Sequence, residues 1–159
     1  METDKDRIKW LNNSSGVLID NTSKEELIGE EGEKYISEKL KKIGYKIFYP
    51  ENKYEISDRI LLSDKTWKFF LGQFKRKDPL KVYPNFTGVD LYQYKNYKEE
   101  QSKTGLPMIM LFVNKKMDKI YGGWLDDLEK YNPMELTMKN GKKIISWDIR
   151  KMKDYKKLL

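Results

Sequence analysis

Leu27, Ile28, Tyr35, Ile36, Leu40 and Ile43 recur at roughly helical spacing, which predicts a helix with one apolar face. Ser23 and Glu26 form a capping box at its start, and Gly44 ends it. Then the period changes. Residues 45–49 (YKIFY) predict a strand stopped by Pro50, and a polar loop carrying Glu51 and Glu55 leads to Asp58. Arg59-Ile60-Leu61-Leu62 predicts a second strand, residues 63–66 a turn, and Trp67 to Arg76 a third strand. Residues 76–90 hold two prolines and read as a basic loop. Leu91 to Ser102 predicts a helix with Tyr94, Lys98 and Gln101 on one side, closed by Gly105 and Pro107. Residues 108–113 (MIMLFV) are continuously apolar and too short for a helix, so they predict a strand buried on both faces.

Weaker elements flank this series. Residues 4–12 suit a short helix, followed by a polar turn and the apolar run Val17-Leu18-Ile19. After the buried strand come Ile120-Tyr121, a tight turn at Gly122-Gly123 plugged by Trp124, and a short helix from Leu125 to Tyr131. Asn140-Gly141 predicts a hairpin between residues 135–138 and 143–147. The basic stretch from Arg150 to Lys157 reads as a lysine-rich helix.

The order α, β, β, β, α, β, with a buried strand after a helical crossover, predicts an α/β fold: a mixed sheet flanked by helices. A chain of 159 residues is enough for one domain with a substantial core. Its core would span about residues 25–113, with a β-hairpin and helix extension over about 114–159.

Composition then narrows the chemistry. There are no cysteines and no histidines, so disulfides, thiol nucleophiles, His-based triads and His- or Cys-ligated metals are excluded. Catalysis would have to rest on carboxylates, amides, lysines, hydroxyls or a metal held by oxygen. No run approaches the roughly 20 apolar residues of a membrane span, and the start, METDKDRIKW, is charged; the expectation is a cytoplasmic protein with no membrane partner.

The formal charge of +7 suggests a polyanionic partner such as DNA. Residues 65–103 carry nine lysines and arginines against four acids, and residues 139–157 carry eight against two. The alternative source of that charge is composition, because lysine, isoleucine, asparagine and tyrosine are all plentiful.

One strand ends oddly. Gln73 and Lys75 fall on the same side of the third strand as Phe69 and Leu71, so an amide and an ammonium continue a buried row. A hairpin sets the start of one strand beside the end of the next, which makes Asp58 their expected neighbour. Glu33 on the first helix completes the set. These residues fit a cleft that begins where the core stops.

Gly29, Glu33, Ile36, Leu40 and Gly44-Tyr45 form a helix and its exit; Asp58 and, after fourteen residues, Gln73-Phe74-Lys75 form a hairpin. Together with the following helix and strand, this pattern over residues 25–113 resembles the PD-(D/E)xK nuclease superfamily. That superfamily has the restriction-endonuclease-like fold and includes archaeal Holliday junction resolvases and Mrr-type enzymes. The resemblance implies a metal-dependent DNA endonuclease using Mg²⁺ or Mn²⁺. Asp58 would ligate the metal, Glu33 would hold the metal or its water, and the Gln73 side chain and Phe74 carbonyl would supply further oxygens. Lys75 would orient the attacking water and stabilise charge on the phosphate. Gln73 departs from the usual acid and removes a negative charge from the site, although Mrr-like enzymes also carry Gln there.

The resemblance also suggests phosphate contacts for Arg76, Lys77 and Lys81 in the basic loop, and for Tyr94, Lys98 and Gln101 on the second helix. Against the latter stands the simpler reading of Tyr94 as the half-buried face of that helix. Asp64 rivals Asp58, and Glu51-Asn52-Lys53 also fits the short motif. Two other functions fit the same residues: a catalytically weak or silent nucleic-acid-binding module on this fold, and a basic protein-interaction domain. A branched, structure-selective substrate would favour a homodimer holding two sites.

Overall fold

The computed structural model describes residues 24–48, 59–63 and 65–155, with side chains from residue 31 onward. The expected elements over residues 4–19, together with Ser23, Glu51, Glu55, Asp58 and Asp64, lie outside the described residues.

Helix α1 (Lys24–Lys42) is followed by β1 (Tyr45–Phe48), β2 (Arg59–Ser63) and β3 (Phe69–Arg76). Then come β4 (Phe86–Asp90), α2 (Leu91–Thr104), β5 (Met108–Val113), β6 (Ile120–Trp124) and the short α3 (Leu125–Leu128). The chain continues through β7 (Met134–Thr137), β8 (Lys143–Asp148), a 3₁₀ turn and β9 (Lys153–Asp154). Six strands form one mixed sheet in the order β1-β2-β3-β5-β6-β9. Only β3 and β5 run parallel, as a helical crossover through α2 requires. No helix among the described residues is long and apolar enough to cross a membrane.

The continuous apolar run of β5 is explained by its place near the centre of this sheet, with every residue buried. One face carries Leu61, Phe70, Phe74, Ile109, Leu111 and Val113 against Ile36 and Leu40 of α1. Gly32 lets the helix approach this face, because a Cβ there would collide with the Arg76 side chain. The opposite face carries Leu71, Met108, Met110 and Phe112 against Tyr97 of α2, Leu125, Leu128 and a second sheet.

That second sheet, β4-β8-β7, corrects the reading of residues 76–90 as a loop. Phe86–Asp90 pairs antiparallel with β8 from Phe86↔Asp148 to Asp90↔Ile144. Thr87 and Val89 are buried by this partner from far along the chain, a non-local gain that outweighs the weak strand propensity of a segment containing glycine. The hairpin around Asn140-Gly141 is present, joining β7 and β8. Gly122-Gly123-Trp124 is no tight turn but the end of β6, paired with Leu111, Met110 and Ile109. The stretch after Arg150 leaves its 3₁₀ turn for β9, where Lys153 pairs with Gly122 at the sheet edge.

Candidate functional site

Alternation along β3 assigns its side chains to the two faces. Leu71 packs in the core beneath α2, and Phe70 and Phe74 pack against α1. Gln73 and Lys75 therefore stand on the α2 side with Leu71. Gln73 is completely buried, opposite Met110 in the parallel ladder. A neutral amide tolerates that burial; a carboxylate would need a cation or several donors to offset its desolvation. Lys75, one pleat further and opposite Phe112, is only half-buried and holds its ammonium 5.9 Å from the centre of the Tyr97 ring. The polar row thus begins inside the core and emerges towards solvent.

The row continues to Lys77, whose backbone N–H extends the ladder by donating to the Val113 carbonyl at 2.9 Å. Its ammonium donates to the Gly88 carbonyl of β4. Burial pushes the Lys77 pKa below its ordinary value; Asp90 draws it upward, while Lys75 and Lys142 repel the charge. Asp90 in turn pairs with Lys142 at 2.9 Å. Among the described residues, Lys75, Lys77 and Lys142 thus bring three ammonium groups around the end of β3, against the carboxylates of Asp90 and, just beyond the strand, Asp78; the excess of positive charge suits an anion. The period-two spacing of Gln73, Lys75 and Lys77 was the available sequence signal for this row. Asp90 and Lys142 carried none, because β4 and its pairing with β8 were not legible.

Glu33 projects from α1 on the other face of the sheet. Its Oε2 accepts from Arg59 Nη2 at 3.2 Å, where Arg59 is only 2% exposed and Glu33 30% exposed. The guanidinium also lies 4.5 Å from the centre of the Phe74 ring. Arg59 and Phe74 belong to the α1 side, so the sheet separates this ion pair from Gln73 and Lys75. Among the described residues no three acidic side chains converge on one point. Gln73 and the Phe74 carbonyl are neutral oxygens, and a divalent cation also needs a carboxylate; Asp58, the acid expected there, lies outside the described residues.

The chain matches no family model and no curated protein.

The remaining predicted contacts divide. Arg76 turns to the α1 side, where it pairs with Glu31 at 2.9 Å and donates to the Lys115 carbonyl at 2.5 and 3.2 Å. Its side chain is 12% exposed, so this guanidinium is spent on joining α1 to the β5–β6 turn. Lys81 is exposed on the loop before β4. Tyr94 and Lys98 gather at the end of the molecule that carries α3. The Tyr94 hydroxyl donates to Glu129 at 2.9 Å, and Lys98 pairs with Glu129 at 2.9 Å and Asp126 at 3.2 Å. Burial and the bond to Glu129 push the Tyr94 phenol up to about 12. Burial alone would lower Lys98, but Glu129 and Asp126 together hold it above its ordinary value. Gln101 shares a shallow pocket with Lys98 and Asp126. Tyr94 and Lys98 thus form a structural network with Asp126 and Glu129, separate from the row on β3, while Gln101 only borders the same pocket.

Proposed function

We propose that the protein is a Mg²⁺- or Mn²⁺-dependent DNA endonuclease with a restriction-endonuclease-like core, as the sequence resemblance implied. The observation that carries this reading is the row Gln73, Lys75, Lys77, which leaves the core at the carboxyl end of two parallel strands. Sites in sheets with parallel strands form at that end, where helix connections leave a crevice. Setting aside β4, which belongs to the second sheet and is inserted before α2, the elements around the row follow the order α, β, β, β, α, β, and this supports the reading.

In this reading Asp58, which directly precedes β2 in sequence, supplies the carboxylate that the neutral oxygens require. The divalent ion would polarise the phosphate and acidify the attacking water. Lys75 holds that water in line and balances the charge that builds on the phosphate oxygens. Lys77 and Lys142 attract the DNA backbone without reading its sequence.

A second reading has its own support. Glu33 is engaged by a buried arginine on the other face, and Gln73 is neutral, so a silent DNA-binding module on the same fold is the alternative. The two separate on incubation of a supercoiled plasmid and a four-way junction with either metal, beside Lys75→Ala and an EDTA control. Cleavage lost in both controls supports the nuclease. Salt-sensitive binding without cleavage, unchanged by Asp58→Ala, supports the silent module. A preference for the junction would add structure selectivity and motivate a test for a homodimer.

A further inference from the structure

The face of the sheet that bears Gln73 and Lys75 extends past α2 to an aromatic edge. Ladder register puts Phe48, Ile60 and Leu71 in one row, and Lys46, Leu62 and Phe69 in the next. Paired residues share a face, so Lys46, Phe48 and Phe69 point the same way as Gln73. Phe48 and Phe69 are each 48% exposed with ring centres 6.4 Å apart. Trp67 is 72% exposed, and the Lys46 ammonium lies 5.9 Å from its ring centre.

Trp67 occupies the left-handed position (φ 54°) of the turn between β2 and β3, with its N–H on the Ser63 carbonyl at 2.8 Å. Glycine fills such a position without strain, whereas a side chain there costs about 1 kcal/mol. The chain spends this to hold an indole in solvent. Lys65 and Lys68 flank it, both exposed; the turn's one acid, Asp64, lies outside the described residues. A protein partner's hydrophobic seat is depleted of lysine. Aromatic faces interleaved with lysines suit bases and phosphates instead.

We infer that Trp67, Phe48 and Phe69, with Lys46 and Lys65, form a stacking platform for unpaired DNA. Phe69 and Gln73 are separated by about 13 Å of strand. Leu71 and Gln73, which lie between Phe69 and Lys75, are buried beneath α2, so the platform is a binding site of its own at the edge of the sheet. Its binding does not rest on the reading proposed above and is measured without metal.

The decisive experiment is fluorescence anisotropy in EDTA with a labelled oligothymidine and with a duplex of equal length, using the full chain. Trp67→Gly relieves the left-handed strain and so stays folded, which thermal melting verifies. Stacking is worth about 1–3 kcal/mol per base, so Trp67→Gly and Phe69→Ser should each weaken oligothymidine binding on the order of tenfold. Duplex affinity should change less than about twofold. The inference is overturned if the wild type does not bind oligothymidine, or if both DNAs lose affinity equally or not at all. It is also overturned if sedimentation shows a dimer that Trp67→Gly dissociates, since the patch is then a self-interface. Single-strand binding that obeys these expectations without any metal-dependent cleavage would sink the nuclease reading alone.

Discussion

Replacing Glu33 by glutamine asks whether this carboxylate serves the fold or a metal. At 3.2 Å from Arg59, a pair of unit charges attracts by about 5 kcal/mol at an effective dielectric of 20, most of which offsets desolvation. Removing one partner of a buried pair commonly costs about 3–5 kcal/mol because the other charge is stranded. Glutamine keeps an acceptor for the guanidinium and recovers about 1 kcal/mol, and the exposed side of Glu33 lets water help. The expected loss is about 2 kcal/mol in urea denaturation, or about 4–8 °C in melting temperature. Arg59→Met removes the stranded charge, so the double variant should lose less than the sum of the singles by about 1–2 kcal/mol. Stability within about 0.5 kcal/mol of wild type, with no coupling to Arg59, would refute the structural role. Loss of cleavage in such a stable variant would return Glu33 to the active site.

Two further expectations concern the sheet. A Cβ at Gly122 would fall far inside contact distance of the Met110 carbonyl oxygen, whereas one at Gly123 would meet Leu128 at an ordinary 3.4 Å. Gly122→Ala should therefore cost about 3 kcal/mol and Gly123→Ala less than about 1 kcal/mol, read from urea midpoints. Tyr121 is pushed up to about 12 from an ordinary 10.0, chiefly by burial; Thr87 pulls it down, and nearby Asp78 raises it by less. The unfolded chain ionises first, so this stabilisation is complete below pH 10.0 and disappears as pH rises through about 12. Tyr121→Phe should flatten the fall of urea midpoint across that window; an unchanged slope would count against the burial of this hydroxyl.

The hydrophobic periods sufficed for α1, the β1-β2-β3 meander, α2 and β5, because each buries a face that its own residues announce. They also put Gln73 and Lys75 on one side of β3 beside Leu71. Two things were hidden. Phe86–Asp90 has too short a pattern to read alone, and it becomes a strand through Ile144, Ile145 and Trp147 of β8. The facing of Glu33 depends on how α1 is rotated against the sheet, which helical spacing leaves open. Arg59 was the clue passed over: a charged residue alternating with Leu61 on a buried face needs a counter-ion. The lysine excess likewise did not distinguish the desolvated Lys77 from the exposed Lys81.

The pairing of β4 with β8 bears on how the molecule assembles. The contacts of α1, β1, β2 and β3 join neighbours in sequence and close quickly, while β4 waits for a strand separated from it by α2, β5, β6 and β7. Until β8 arrives, the Gly88 carbonyl that receives Lys77 has no fixed place. Contact order therefore predicts that β4 is among the last parts of the protein to become rigid, and that the lysine field around β3 matures only once the β7–β8 hairpin has joined it.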